Sequence, residues 1–195
     1  ILSNEGRAFT VPVAALPDGR GMGAPLPSFV DMGNSRIAHV LVGKPEDELL
    51  VAKTSGYGFI CTYGDLLSRQ KAGKAFLTVE DGATILPPTR VINADHLAAL
   101  SEDGRLLVFP LDQMKRLSGG KGVQIINLKG TETLKSIIAA KGPVVSIKGT
   151  FRNKPKALLS DEKHLGLRAR RGAAVGLVNQ PAIENLPETS APNNH

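Results

Sequence analysis

The sequence predicts an all-β fold built of propeller-like, four-stranded blades, and three observations carry that prediction. Strand-like runs recur at an interval of about fifty residues, too long for most helical solenoids and suited to a blade. The chain of 195 residues holds 21 glycines and 13 prolines, spread so that no helix longer than a turn survives. Apolar runs flank polar, glycine-bearing turns, which is the pattern of hairpins.

The repeat is read from four segments: 6–12 (Gly6-Arg7 to Pro12), 56–62 (Gly56-Tyr57 to Thr62), 104–110 (Gly104-Arg105 to Pro110) and the weaker 153–159. An apolar strand and a polar turn precede each of the first three. These are Ile1-Leu2 with Ser3-Asn4-Glu5, 49–52 with Lys53-Thr54-Ser55, and 97–100 with Ser101-Glu102-Asp103. Repeats are expected near 1–30, 37–79, 84–128 and 134–178. Single helical turns are expected at 65–70, 112–117 and 161–165. The chain enters mid-repeat, as a piece of a larger protein would. The stretch 179–195, rich in Pro, Asn, Glu and Ser, is expected to be a disordered tail.

A basic, glycine-bearing loop closes each repeat: 18–23, 69–74, 115–122 and 168–172, with strands expected to begin at Ala24, Ala75, Val123 and Ala173. A lone loop lysine is ordinarily a solvated side chain, but four equivalent loops make a set. The stretch from Lys148 to Arg171 carries eight basic and two acidic residues, which makes it the most positive region. The net charge is +6 and the pI about 9.6, a balance that suits a polyanionic partner. With no Trp, six Phe and two Tyr, the chain is poorly equipped to stack unpaired bases, so duplex phosphates are the expected target.

Two stretches resemble a known family. Ser55-Gly56-Tyr57-Gly58-Phe59-Ile60-Cys61-Thr62, continuing to Ala72-Gly73-Lys74-Ala75, is similar to the C-terminal domain of the A subunit of bacterial DNA topoisomerase IV. So is 104–110, with Gly119-Gly120-Lys121-Gly122 running on to Asn127. The resemblance extends to about Val178. It implies a β-pinwheel, a propeller-like ring whose blades exchange strands, with about four to five blades and an open or irregular ring. The corresponding gyrase domain, in the same family, carries the box Gln-Arg-Arg-Gly-Gly-Lys-Gly, which supports tight DNA wrapping. Here Arg116-Leu117-Ser118 replaces its first three letters, ahead of Gly119-Gly120-Lys121-Gly122.

By that resemblance the chain is a non-catalytic domain that binds and bends duplex DNA with weak sequence preference, helping to select DNA geometry for decatenation and relaxation. Gyrase-type wrapping and a protein-interaction scaffold are the alternatives. In a propeller-like ring the loops line one rim, which makes Arg20, Arg69, Lys71, Lys74, Lys115, Arg116, Lys121, Arg168, Arg170 and Arg171 the expected DNA contacts. Arg7, Arg105, Lys154 and Lys156 rank second, as flanks of strands. The resemblance further implies an ATP-dependent, Mg²⁺-using enzyme whose catalytic tyrosine lies elsewhere. Its partners would be a second copy of itself and an ATPase subunit, and its place the bacterial cytoplasm, on the chromosome. No cofactor or metal is expected in this domain, and no run of apolar residues is long enough to span a membrane as a helix.

Other chemistry finds no support in the pattern. Tyr57 and Tyr63 lack the arginine and acidic cluster that a strand-cleaving tyrosine needs. His39, His96, His164 and His195 have no ligand spacing with one another or with Cys61, which reads as a core residue. The glycines of 19–23 precede Pro25 and Pro27, where a dinucleotide fold needs a helix. Gly73-Lys74 and Gly120-Lys121 lack the Ser or Thr of a nucleotide-binding loop.

Overall fold

Apolar runs on either side of a short polar turn pair as a hairpin in each repeat. The computed structural model describes residues 1–186. Its strands are, in order, β1 (Leu2–Ser3), β2 (Arg7–Ala8) and β3 (Ile37–His39), then β4 (Glu48–Ala52), β5 (Tyr57–Thr62), β6 (Lys74–Ala75) and β7 (Thr89–Arg90). There follow β8 (His96–Ser101), β9 (Arg105–Pro110), β10 (Val123–Gln124) and β11 (Leu134–Ala140). The last are β12 (Ser146–Phe151), β13 (Lys154–Leu159), β14 (Ala173–Ala174) and β15 (Val178–Glu184).

These strands form four sheets, ordered β3-β1-β2-β6, β10-β5-β4-β7, β11-β8-β9-β14 and β13-β12-β15. All named pairs are antiparallel. The strand after each of the last three basic loops joins the sheet of an earlier hairpin: β6 pairs with β2, β10 with β5 and β14 with β9. Sheets thus exchange strands, and a sequence repeat and a blade are different units.

Strand alternation sends successive side chains to opposite faces, and both faces of the inner sheets are buried. Val51, Phe59 and Cys61 pack with Leu2, Ala8 and Phe76 between the first two sheets. Leu50, Ala52 and Ile60 meet Leu97, Ala99 and Leu107 between the second and third. Ala98, Leu100 and Val108 meet Ile147, Val145 and Ile183 between the third and fourth. No apolar cluster among the described residues joins the fourth sheet to the first, so the sheets form an open arc. On the first sheet Ile1, Phe9, Val11, Val13 and Leu16 line an apolar groove of about 450 Å³.

Three expectations are corrected. No strand begins at Ala24; Pro25 and Pro27 lack donor amides, and a 3-10 turn spans Leu26–Ser28 instead. The first helical turn lies at Tyr63–Leu66, because Thr62 caps it and exchanges hydrogen bonds with Asp65. The others lie at Leu111–Gln113 and Glu162–His164. The expected tail from Asn179 begins as strand: β15 pairs with β12 through Glu184, and Ile183 is buried. The rest of that expectation, residues 187–195, falls outside the described residues. Among the described residues no helix is long and apolar enough to cross a membrane.

Candidate nucleic-acid interface

Three of the basic loops dock in the same way. Gly73, Gly122 and Gly172 each immediately precede the exchanged strand. Each has positive φ (62°, 82° and 74°), and an added Cβ would lie 2.5–2.6 Å from a carbonyl oxygen, of Ala8, Gly58 and Leu106 respectively. The loop glycine is therefore required by the approach of two backbones. One residue earlier on the receiving strand stand Arg7, Tyr57 and Arg105, opposite Ala75, Gln124 and Ala174. Arg7 donates to the carbonyls of Ala72 (2.8 Å from Nη2) and Gly73, and Arg105 to that of Gly172 (3.3 Å). Tyr57 instead presents its ring to Lys121, whose Nζ lies 4.6 Å from the centroid. Arg7 and Arg105 thus hold loops in place.

Each loop also leans on the segment that follows the previous loop. The amides of Asp31, Thr78 and Asn127 donate to the carbonyls of Lys71 (2.8 Å), Gly120 (3.1 Å) and Arg170 (2.9 Å). The Gly120 amide donates to Phe76 O, and the Ala169 amide to Ile125 O. Ala169, at φ 65°, fills the place of Gly120 (φ 100°) in the last loop. The Gly120 carbonyl, however, is matched by that of Arg170, so the last loop carries one more residue than the third between these two bonds. Phe29-Val30-Asp31 stands where Phe76-Leu77-Thr78 stands, so Arg20 belongs to a loop whose exchanged strand is not formed.

The ten expected contacts divide by what they already bind. Arg20, Arg69, Lys71, Lys115 and Arg170 are exposed, Lys74 is half-buried, and none of the six has an ion pair among the described residues. Arg116 makes a bidentate pair with Glu48, 2.6 Å at its shorter bond. Arg171 makes one with Glu132. The Arg171 hydrogen bond, helped by the Lys129 amide, holds the Glu132 carboxyl at about 2, and Arg171 itself is raised by that bond. Arg168 points inward, donating to the carbonyls of Gln113 (2.8 Å) and Gln124 (2.5 Å). Lys121 lies 3.5 Å from Glu80 and is half-exposed.

Reading the pattern alone missed Lys53. Ser3, Lys53 and Ser101 hold the same turn position, and both serines are buried and accept from the amides of Arg7 and Arg105. Lys53 is fully buried instead, with Nζ 2.8 Å from Glu80 and 2.6 Å from Thr78 O. Burial pulls the Glu80 carboxyl up, but hydrogen bonds from Lys53 and Ser55 outweigh it and leave it below the ordinary value. The signal was available: where its counterparts have Ser and Arg, the second repeat has Lys and Tyr. Burial, with Asp65 and Glu48 nearby, pushes the Cys61 thiol up to about 12, which leaves it a protonated core group.

Comparisons with known proteins match this geometry. The family model for the DNA gyrase C-terminal domain, a beta-propeller, matches residues 95–141. The A subunit of DNA topoisomerase 4 from Neisseria gonorrhoeae is 34% identical over 195 residues, which covers 96% of this chain and 25% of that protein. The Escherichia coli K12 protein of the same name is 36% identical over 69% of this chain and 18% of its own length. The chain thus spans about a quarter or less of the curated relatives it matches. Among solved structures, the E. coli ParC C-terminal domain superposes with a TM-score of 0.83 at 30% identity, over 94% of this chain and 79% of that one. A DNA gyrase A C-terminal domain shares the fold, with a TM-score of 0.61 at 19% identity over 88% of this chain and 57% of that one.

Proposed function

This chain belongs to the family of C-terminal domains found in the A subunits of DNA gyrase and topoisomerase IV, and on that premise we propose that it binds and bends duplex DNA without catalysing its cleavage. One observation carries the reading: loops docked at one register on successive sheets present cations with no acidic partner among the described residues, namely Arg69, Lys71, Lys74, Lys115 and Arg170. A duplex following the arc would bend, at a cost of about 1–6 kcal/mol for a site of roughly 20–30 base pairs. Phosphate neutralisation offsets that cost and carries little sequence information.

Within the family, the topoisomerase IV type is favoured over gyrase-type wrapping by the fate of the box. Leu117 and Ser118 stand where the box has arginines, and Arg116, which replaces the glutamine, is committed to Glu48. The longer protein we infer is one half of a type IIA topoisomerase, pairing with its own copy and with an ATPase subunit. ATP, Mg²⁺ and the strand-cleaving tyrosine would act outside this domain, and decatenation and relaxation on the bacterial chromosome would be its work.

The test is duplex affinity across a salt series for the wild type and for Lys71→Gln/Lys115→Gln/Arg170→Gln. The logarithmic slope should flatten by about 2.7, at about 0.9 per lost phosphate contact. A wild type whose affinity ignores salt would sink the reading and leave the scaffold alternative. Substantial writhe introduced into relaxed plasmid would favour wrapping instead.

A further inference from the structure

We propose that the β12–β13 hairpin is a further duplex contact on the same rim, reaching phosphates through Arg152, Lys154 and Lys156; this rests on the duplex-binding reading above. In the first three sheets the hairpin end receives a cationic loop from a later repeat, held by Arg7, met by Tyr57 or held by Arg105. Those turns carry no free cation of their own: they are Asn4-Glu5, Thr54-Ser55 and Glu102-Asp103, and Lys53 beside the second is buried. In the fourth sheet β13 is an outer strand, and no exchanged strand covers it among the described residues. There the hairpin end changes sign.

Its turn is Arg152-Asn153, at φ 49° and 61°, the two-residue geometry that suits strand twist. Lys154 stands opposite Phe151 and Lys156 opposite Gly149, on the face that Leu158 and Ile147 turn toward the third sheet. Both lysines are exposed, and Phe151 is 44% exposed between them and Arg152. The Phe151 centroid lies 5.3 Å from the Arg152 guanidinium and 4.9 Å from Lys156 Nζ, so the ring holds two cations apart and pre-oriented. Lys148, on the same hairpin, is paired with Glu184, whereas Arg152, Lys154 and Lys156 have no acidic partner among the described residues. Lysines on an outer strand also deter pairing with other chains, but that role asks for neither an arginine in the turn nor an exposed aromatic between the cations.

Affinity for a duplex long enough to follow the arc is measured across a salt series for the 195-residue chain and for Arg152→Gln/Lys154→Gln/Lys156→Gln. The slope should flatten by about 2.7, and by about 1.8 for Lys154→Gln/Lys156→Gln, which keeps the turn intact. Circular dichroism monitors folding of both variants. Folded variants with the wild-type slope overturn the inference and leave the duplex-binding reading standing. A wild type without salt-dependent binding overturns both.

Discussion

At the scale of single residues, the glycines of the box are explained by packing before any ligand is considered. Gly122 has φ 82°, and a methyl group there would lie 2.5 Å from Gly58 O. Gly122→Ala should therefore lower stability by about 1–3 kcal/mol, read as a lower Tm, without changing the salt slope of whatever binding survives. Equal Tm values would show that the exchanged strand does not need the glycine. The same logic sorts the cations. Sequence marks Arg69 and Arg168 alike, as basic residues in a glycine loop, yet the first is exposed and the second is spent on the carbonyls of Gln113 and Gln124. Which carbonyl a guanidinium meets depends on strands that are distant in the chain.

At the scale of elements, the unit is a hairpin end with the loop it receives. Arg7 grips 72–73 from a separation of some 65 residues, so it positions the loop that carries Arg69 and Lys71. Arg7→Ala should speed hydrogen exchange of the loop amides and weaken duplex binding while leaving the salt slope close to wild type. A slope reduced by about 0.9 would instead make Arg7 a phosphate contact. The hairpins were legible because strand, turn and strand lie close together in sequence. The exchange of β6, β10 and β14 was not legible from spacing, because two-residue strands carry almost no pattern; only the resemblance implied it.

At the scale of the whole molecule, charge and shape act together. The net charge of +6 is spread along an open arc in which, among the described residues, each shared core joins neighbouring sheets. Two of its cations are locked in pairs: Glu48 holds Arg116 and Glu132 holds Arg171. Glu48→Gln/Glu132→Gln should free both arginines and steepen the salt slope by up to about 1.8. An unchanged slope would place those two arginines off the duplex path.

The sequence by itself determined the all-β class, the four-fold repeat, the hairpins and the basic loops, because each is written in residues that are neighbours along the chain. Its family motifs also pointed to the right relatives. Only the tertiary structure decided the rest: that exchanged strands tie three of the four loops to an earlier sheet, that Lys53 is buried on Glu80, and that Val178–Glu184 is strand. It also decided that four of the ten expected contacts already hold protein partners and that the β12–β13 hairpin carries unpaired cations. The physical reason is common to all of these. A charge or an edge is free or engaged according to what packs against it, and here those partners lie some 25 to 70 residues away.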